Sequence, residues 1–446
     1  MKVSKIGEIK MKIIALCGLL GYGYNEESLK RAFEEKVDYV GVDAGSTDPG
    51  PYYLGSGKSF TDRGAVKRDL SIALPLVLEN KAPFIIGTAG GAGSNVHTDW
   101  LVEIIKEIAK EKGLSFSLAT IYSEVDREYV LSKLNAGKIT DMSPEFPLTE
   151  ENVKNSSKIV SQIGIAPIID ALNNNAQVIV CGRACDTAIY AAPCIREGYD
   201  HGLAFHMAKI MECGAMCSEP VAAADVMQGY IEKDYFMLRP ANPERRCTLD
   251  RVAAHTMYEQ TNPYMIYEPD GVADLRETVY EQVDPRTVKV MNSKFIPAKV
   301  KTLKLEGVKS VGFRTITLGG INDTKTISKL DEMFEVIQDF VKVNANLPEG
   351  SYQLNFRRFG GVENNACVVV DVVGKTQEIA DNVCAIARAR LLHCDYDGRK
   401  SSAGNVAFPF SPSDLHVGEV FEFSVFHLAE VDDLKETSKT VYSEVK

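Results

Sequence analysis

Short apolar runs alternate with amphipathic stretches from the N-terminus to Pro220. The apolar runs predict strands over residues 12–17, 38–43, 83–87, 114–121 and 177–181. The stretches between them have the apolar spacing of helices, over residues 26–35, 65–80, 98–112, 126–135, 150–163 and 167–172. Strands that alternate with helices favour an α/β fold with a doubly wound, mostly parallel sheet and helices on both faces.

Segments rich in glycine and polar residues follow four of these strands, at residues 18–23, 43–57, 88–95 and 182–186. The carboxyl ends of parallel strands lie at the same edge of a sheet, and ligands bind there in open α/β folds. We therefore expect the four loops to surround one crevice. Most of the second segment lies in a longer predicted loop, over residues 44–64. Loops of that length commonly carry function.

The pattern changes after Pro220, where short strands and hairpins surround one helix over residues 249–260. From residue 310 the order becomes strand, helix, strand, strand, helix, strand, which is the ferredoxin-like βαββαβ order. The sequence therefore predicts an α/β crevice domain (1–220), an α+β insertion or lid (221–309) and a C-terminal ferredoxin-like α+β domain (310–446). The charged residues after Val431 are expected to form a solvated helix or a disordered tail.

Composition and charge narrow the class of protein. The net charge of -11 argues against nucleic acid as a partner, and no window approaches the roughly 18 apolar residues of a membrane helix. The N-terminal apolar run is short, so we expect no signal peptide. Ten cysteines without the spacing of a small disulfide-bonded domain suggest reduced thiols and a cytoplasmic protein.

The glycine-rich segments do not match the common nucleotide-binding motifs. The first loop reads G-x-x-G-x-G rather than the dinucleotide motif G-x-G-x-x-G, and no G-x-x-x-x-G-K-[ST] occurs. The backbone N–H groups of the segment TAGGAGSN are nevertheless expected to hold an anion at the start of the next helix. The residues predicted to bind substrate there are Gly90, Gly91, Gly93, Ser94 and Asn95.

An arginine and an aspartate follow the strand at residues 177–181. Arg183 has no obvious partner nearby in the sequence, so we expect it to bind a substrate carboxylate. Asp186 is expected either to act as a base or to cap the following helix.

Further candidates follow the second and third strands. Asp43 is the preferred general acid or base. Its alternative role is to hold the long loop in place. His97 is a candidate proton carrier that could instead cap its helix. Substrate-binding candidates after Asp43 are Ser46, Thr47 and Asp48.

A metal site receives weaker support. His206, Cys213 and Cys217 share one face of a predicted helix, yet buried cysteine and histidine are more often structural. No cofactor is predicted, and a metal ion is left open. His255 and Glu259 form a weaker pair on a later helix, where they could simply contact each other.

Four long motifs, VDAGSTDPGPYYLG, GTAGGAG, GRACDTAIYAAPCI and HMAKIMECGAMC, occur in this order. They resemble the acyclic terpene utilisation AtuA family, and the resemblance covers most of the chain up to Leu330. The resemblance implies a role in catabolism of branched or carboxylate-rich compounds, as free acids or CoA thioesters, with small companion proteins in some members. It does not imply one defined reaction.

The sequence therefore predicts a catabolic enzyme that acts on a small branched or multi-carboxylate acid, or its acyl-CoA, by general acid–base chemistry. A lyase of the hydratase or dehydratase type is favoured over a hydrolase, because no G-x-S-x-G nucleophile elbow is present. A homo-oligomer is expected. The alternative is a non-catalytic ligand-binding or assembly subunit of a multi-protein complex.

Overall fold

The computed structural model describes residues 11–221, 223–360, 365–400 and 405–446. The chain divides into two compact units, one made of Met1–Val308 with Phe423–Lys446 and the other of Lys309–Glu422. Within the described ranges, no helix combines the length and the apolar character needed to cross a bilayer.

The strands of the N-terminal α/β region are β1 (Met11–Ala15), β2 (Tyr39–Asp43), β3 (Phe84–Gly87), β4 (Phe116–Tyr122), β5 (Ile139–Asp141), β6 (Lys158–Gln162) and β7 (Val178–Cys181). All of them except β5 and β6 follow the predicted apolar runs closely. Five of them pair in parallel in the order β1-β2-β3-β7-β4. Their runs of buried apolar residues suit strands that are covered on both faces.

The helices of this region are α1 (Glu26–Ala32), α2 (Pro51–Ser56), α3 (Arg63–Glu79), α4 (Asn95–Lys112), α5 (Arg127–Asn135), α6 (Glu150–Asn155), α7 (Ile165–Asn173), α8 (Ala188–Arg196) and α9 (His201–Met211). Helices α1, α3 and α4 cover one face of the parallel core, and α7, α8 and α9 cover the other. Successive side chains of a strand point to opposite faces, so Ile13 and Ile85 pack with α7, α8 and α9, whereas Ile14 and Ile86 pack with α1, α3 and α4.

The second part of the first unit is built from short antiparallel strands. Its elements are β8 (Ser218–Glu219), β9 (Met227–Ile231), β10 (Tyr235–Pro240), β11 (Arg246–Cys247), α10 (Leu249–Thr256), β12 (Met265–Glu268), β13 (Gly271–Asp274), β14 (Val279–Asp284), β15 (Thr287–Met291) and β16 (Lys294–Pro297). The remaining elements of the chain are β17 (Lys301–Ile321), α11 (Thr324–Ser328), α12 (Leu330–Asn344), β18 (Tyr352–Gly360), β19 (Ala366–Gly374), α13 (Gln377–His393), β20 (Asp414–Val431) and β21 (Lys439–Val445).

The large sheet is mixed rather than mostly parallel. Its ten strands have the order β14-β15-β10-β9-β1-β2-β3-β7-β4-β21, and β9 and β21 join the parallel core in antiparallel orientation. The segment predicted as a separate insertion or lid therefore supplies four strands to the sheet of the first unit. Backbone pairing between β1 and β9 joins segments from distant parts of the sequence, which a local pattern does not reveal.

Three local predictions were wrong. The helix predicted over 150–163 ends at Asn155, and β6 follows it because its residues pair with residues 304–308 of β17. The loop predicted over 44–64 contains α2, which begins at a proline in its first position. The tail predicted to be helical or disordered contains β21, which pairs along the edge of β4.

The second unit has the predicted element order. Residues 309–321 of β17 are followed by α11 and α12, β18, β19, α13 and the first part of β20. β19 pairs in antiparallel orientation with both β17 and β18. α12 and α13 pack against these strands in a core of their own, as the apolar spacing of both helices requires.

Candidate functional site

Three of the four glycine-rich loops meet at one cavity in the first unit. The cavity has a volume of about 260 Å³ and lies at the carboxyl ends of β1, β2 and β7. Two later segments, after α9 and α10, complete its wall. The lining residues are Gly18, Leu19, Tyr22, Asp43, Gly45, Ser46, Asp48, Pro49, Phe60, Asp186, Glu212, Cys213, Met216, Ala223, Tyr258 and Glu259.

Asp43 is the last residue of β2, and its side chain reaches this cavity from a buried position. Only 7% of the residue is exposed. Its Oδ2 accepts a hydrogen bond from the N–H of Gly45 at 3.2 Å, whereas the buried Oδ1 has no partner among the described residues. Burial, followed by the negative charge of Asp186, raises the pKa of Asp43 well above its ordinary value. The protonated form of this carboxyl is therefore favoured relative to that of an exposed aspartate.

Asp186 lies in the loop after β7 and faces two further carboxylates. Oxygen atoms of Asp186, Glu212 and Glu259 lie within 4.8 Å of one another. Burial raises the pKa of Asp186, and Arg183 and Lys209 offset only part of that effect. The alternative role as a helix cap is not observed, because Thr187 occupies the cap position of α8.

Glu212 is the member of this group that sequence analysis missed. It immediately follows α9, only 4% of it is exposed, and it forms an ion pair with Lys209 one turn earlier. Burial raises the pKa of Glu212 to about 8, although Lys209 opposes this. The helix predicted to carry His206, Cys213 and Cys217 was expected to continue through Cys217, whereas α9 ends at Met211 and Glu212 follows it.

Glu259 reaches the cavity from the segment after α10. Its carboxylate lies 3.8 Å from the Nζ of Lys209, and the neighbouring Tyr258 places its ring 5.6 Å from the same atom. His255 stacks on Tyr258 with ring centroids 5.3 Å apart. Lys209 therefore connects Glu212 and Glu259, which come from separate segments of the chain.

The cavity is strongly acidic. Five of its lining residues carry carboxyl groups, namely Asp43, Asp48, Asp186, Glu212 and Glu259, whereas no lysine or arginine lines it in the described parts of the chain. An anionic ligand was expected here, and it would need a positive charge that this lining does not supply.

Arg183 was expected to have no partner in the protein and to bind a substrate carboxylate, but it is paired with protein groups. The arginine is 2% exposed, and its Nε donates to Oε2 of Glu306 on β17 at 2.8 Å. Its Nη1 donates to the carbonyl of Ala184 at 2.9 Å and lies 3.5 Å from Asp186. The guanidinium and Lys304 hold the pKa of Glu306 at about 2 against the opposing effect of burial. Arg183 thus stabilises the loop from behind the cavity.

The glycine-rich loop over residues 88–95 also has a structural position. Gly90, Gly91, Gly93 and Ser94 are buried, and Gly93 packs so closely that a Cβ atom would lie 2.1 Å from the backbone nitrogen of Arg183. The N–H groups of Gly91 and Gly93 donate within the loop, and that of Asn95 donates to Glu124 at 2.9 Å. These three N–H groups already have protein acceptors, so they are not available to an anion as predicted.

His97 is likewise behind the cavity. Its Nδ1 lies 2.7 Å from the hydroxyl of Ser94 and its Nε2 lies 3.0 Å from the carbonyl of Lys58. Burial lowers the pKa of His97, which keeps the ring neutral. It joins two loops and does not line the cavity.

The other residues predicted after β2 are divided between the cavity and the core. Ser46 and Asp48 line the cavity, and the hydroxyl of Ser46 accepts from the N–H of Asp48 at 3.1 Å. Thr47 is buried. In the first loop, the N–H groups of Gly21 and Gly23 donate to Asp69 at 2.9 and 3.0 Å, so an internal carboxylate already occupies them.

His206, Cys213 and Cys217 do not share a helical face, because α9 ends before both cysteines. His206 is fully buried, with Nδ1 2.7 Å from Ser293 and Nε2 3.0 Å from Thr256, and burial lowers its pKa to about 3. Within the described ranges, the ligand atoms that lie close enough together to hold a metal ion belong to Asp186, Glu212 and Glu259 instead.

One signal in the sequence points to the residues that were missed. Lys209 and Glu212 interrupt an otherwise apolar run at the end of a helix whose every residue from Gly202 to Met211 is buried. Charged residues are almost never fully buried unless they are paired or functional. Their presence in a buried segment is therefore a reason to place them at a site.

Comparison with known proteins identifies a family. The sequence model of the family described as acyclic terpene utilisation family protein AtuA matches residues 62–389, which is more than half of the 446 residues. The match includes the loops at 88–95 and 182–186 and extends into the second unit, whereas the segment around Asp43 precedes it. No curated protein and no solved structure matches the chain significantly.

Proposed function

The chain belongs to the acyclic terpene utilisation AtuA family, and we propose that it is a catabolic enzyme that transfers protons in the acidic cavity, with Asp43 as the general acid–base group. The observation that carries this proposal is the buried Asp43 oxygen, which has no partner among the described residues and belongs to a side chain that lines the cavity. A buried acceptor without a donor is costly, so a ligand that donates to it gains free energy.

The proposed substrate is a small branched or multi-carboxylate acid, either free or as the acyl end of a CoA thioester. A cavity of about 260 Å³ suits a small molecule. The proposed reaction is the addition or removal of water. In the dehydration direction, Asp43 takes a proton from carbon, the neighbouring carbon–oxygen bond breaks, and a carbon–carbon double bond forms. The hydroxide that leaves takes up a proton from solvent and departs as water, and Asp43 returns its proton to solvent.

Proton transfer can be measured before the substrate is known. The protein is incubated in D₂O with a panel of di- and tricarboxylic acids, branched acids and their CoA thioesters, and proton NMR follows loss of C–H signals and appearance of vinyl signals. Asp43→Asn is expected to slow the exchange by about 100-fold or more, the usual contribution of a general base. Asp234→Asn, at an exposed position in the β9–β10 turn, serves as the control.

Thermal shifts with the same compounds separate binding from chemistry. The proposal predicts that Asp43→Asn still binds the compound that the wild type converts. Undiminished exchange in a folded Asp43→Asn variant would exclude Asp43 as the acid–base group. Binding without exchange in the wild-type protein would favour a ligand-binding subunit instead.

A further inference from the structure

The three carboxylates at the cavity come from separate segments and still face one point. Asp186 follows β7, Glu212 follows α9, and Glu259 follows α10. Their oxygen atoms lie within 4.8 Å of one another. Like charges repel at this separation, and the repulsion is strongest where water is excluded. The fold therefore holds the three groups together at an electrostatic cost.

The neighbouring cations do not balance this charge. Lys209 is shared between Glu212 and Glu259, so it offsets one of the two. Arg183 lies 3.5 Å from Asp186 but makes its closest ion pair with buried Glu306, at 2.8 Å. The carboxylates of the cluster thus exceed the cations in contact with them.

A second observation, outside the cluster, also indicates a ligand at this place. Asp43 lines the same cavity, is only 7% exposed, and carries an oxygen without a hydrogen-bond partner in the described part of the chain. A water molecule bound to a metal ion is a strong hydrogen-bond donor, and the Asp43 side chain lines the same cavity as the cluster. The cluster and Asp43 therefore point to the same occupant.

We propose that Asp186, Glu212 and Glu259 hold one hard divalent cation of the Mg²⁺ or Mn²⁺ type, with a bound water molecule donating to Asp43. Carboxylate oxygens are the ligands that these ions prefer, and Mg²⁺ commonly keeps several waters beside one or two protein carboxylates. Glu212 has two oxygens, so it can contact the cation with one and Lys209 with the other.

The cation also supplies the positive charge that the lining of the cavity lacks. Its positive charge would attract a carboxylate or polarise a hydroxyl group in a cavity that carries five acidic residues. This second part rests on the function proposed above. The binding of the cation does not, because it can be measured in the absence of any substrate.

The test is a titration of the chelator-treated full-length protein with MnCl₂, followed by calorimetry and by the paramagnetic resonance signal of free Mn²⁺. One Mn²⁺ is expected to bind to each chain and to be displaced by Mg²⁺. Glu212→Gln and Glu259→Gln are each expected to weaken binding by at least about tenfold, a loss typical of altered metal surroundings. Glu103→Gln, on the exposed side of α4, is the control and should bind as the wild type does.

The half-exposed position of Glu259 makes its variant the one least able to disturb folding, and circular dichroism of each metal-free variant checks this. Absence of saturable Mn²⁺ binding to the wild type, or wild-type affinity in both Glu259→Gln and Glu212→Gln, would overturn the cation site. The two proposals fail separately. Normal Mn²⁺ binding with undiminished exchange in Asp43→Asn refutes only the acid–base role, and loss of exchange in that variant without any Mn²⁺ binding refutes only the cation.

Discussion

Replacing Arg183 with methionine is expected to destabilise the first unit because it leaves the buried carboxylate of Glu306 with one fewer partner. The Nε of Arg183 lies 2.8 Å from Oε2 of Glu306, and both side chains are at most 3% exposed. Lys304 remains 2.7 Å from Oε1 in this variant, so the carboxylate keeps one cation. Methionine retains much of the apolar volume of the arginine side chain and isolates the effect of the charge.

The lowered pKa of Glu306, to which both Arg183 and Lys304 contribute, gives the order of magnitude. A pKa of about 2 in place of the ordinary 4.5 corresponds to about 3 kcal/mol in favour of the charged carboxylate. This agrees with the roughly 3–5 kcal/mol usually lost when one partner of a buried ion pair is removed. Because the pKa is lower in the folded state, the contribution is complete above about pH 4.5 and disappears as the pH falls toward 2.

Calorimetry at neutral pH measures the change. With an unfolding entropy of about 2.1 cal/mol/K per residue, a unit of roughly 330 residues should lose about 4 °C in Tm for 3 kcal/mol. The double variant Arg183→Met/Glu306→Leu should recover part of this loss, because it also removes the buried carboxylate that has lost its arginine partner. Arg63→Met, in an exposed pair with Glu107, should change Tm by less than about 1 °C.

A Tm of Arg183→Met within about 1 °C of the wild type would contradict a stabilising ion pair, and so would effects of Arg183→Met and Glu306→Leu that simply add in the double variant. A variant of normal stability that no longer binds a carboxylate ligand would restore Arg183 to the substrate-binding role that its sequence suggested. The measurement therefore decides between the two interpretations of this residue.

Two further predictions concern packing and protonation. Gly93→Ala should lower Tm more than Gly113→Ala does, because both glycines have φ near +65° but only at Gly93 would the new Cβ meet a backbone atom, at 2.1 Å. His206 is neutral when folded, with a pKa of about 3, so its contribution to stability is lost as the pH falls below about 6.5. Urea denaturation between pH 7 and pH 5 should show a weaker pH dependence for His206→Gln than for the wild type; equal slopes would contradict this.

Local patterns in the sequence were sufficient to place most of the parallel core and its loops. The apolar runs before Asp43 and before Arg183 identified two strand ends, and the carboxyl-edge rule for parallel sheets then placed Asp43 and Asp186 at one cavity. Both steps depend only on neighbours in the sequence and on a general rule of α/β folds. They required no knowledge of a distant contact.

The tertiary structure decided what each polar side chain does at that edge. Arg183 resembles a free anion-binding residue until Glu306, which is 123 residues away in the sequence, is placed beside it. Glu212 and Glu259 join Asp186 only because α9 and α10 end against the same cavity. The strands β6 and β21 form for the same kind of reason, since each pairs with a distant segment. Short-range periodicity determined where the chain forms strands and helices, whereas burial and long-range pairing determined which charges are compensated and which remain available for a ligand.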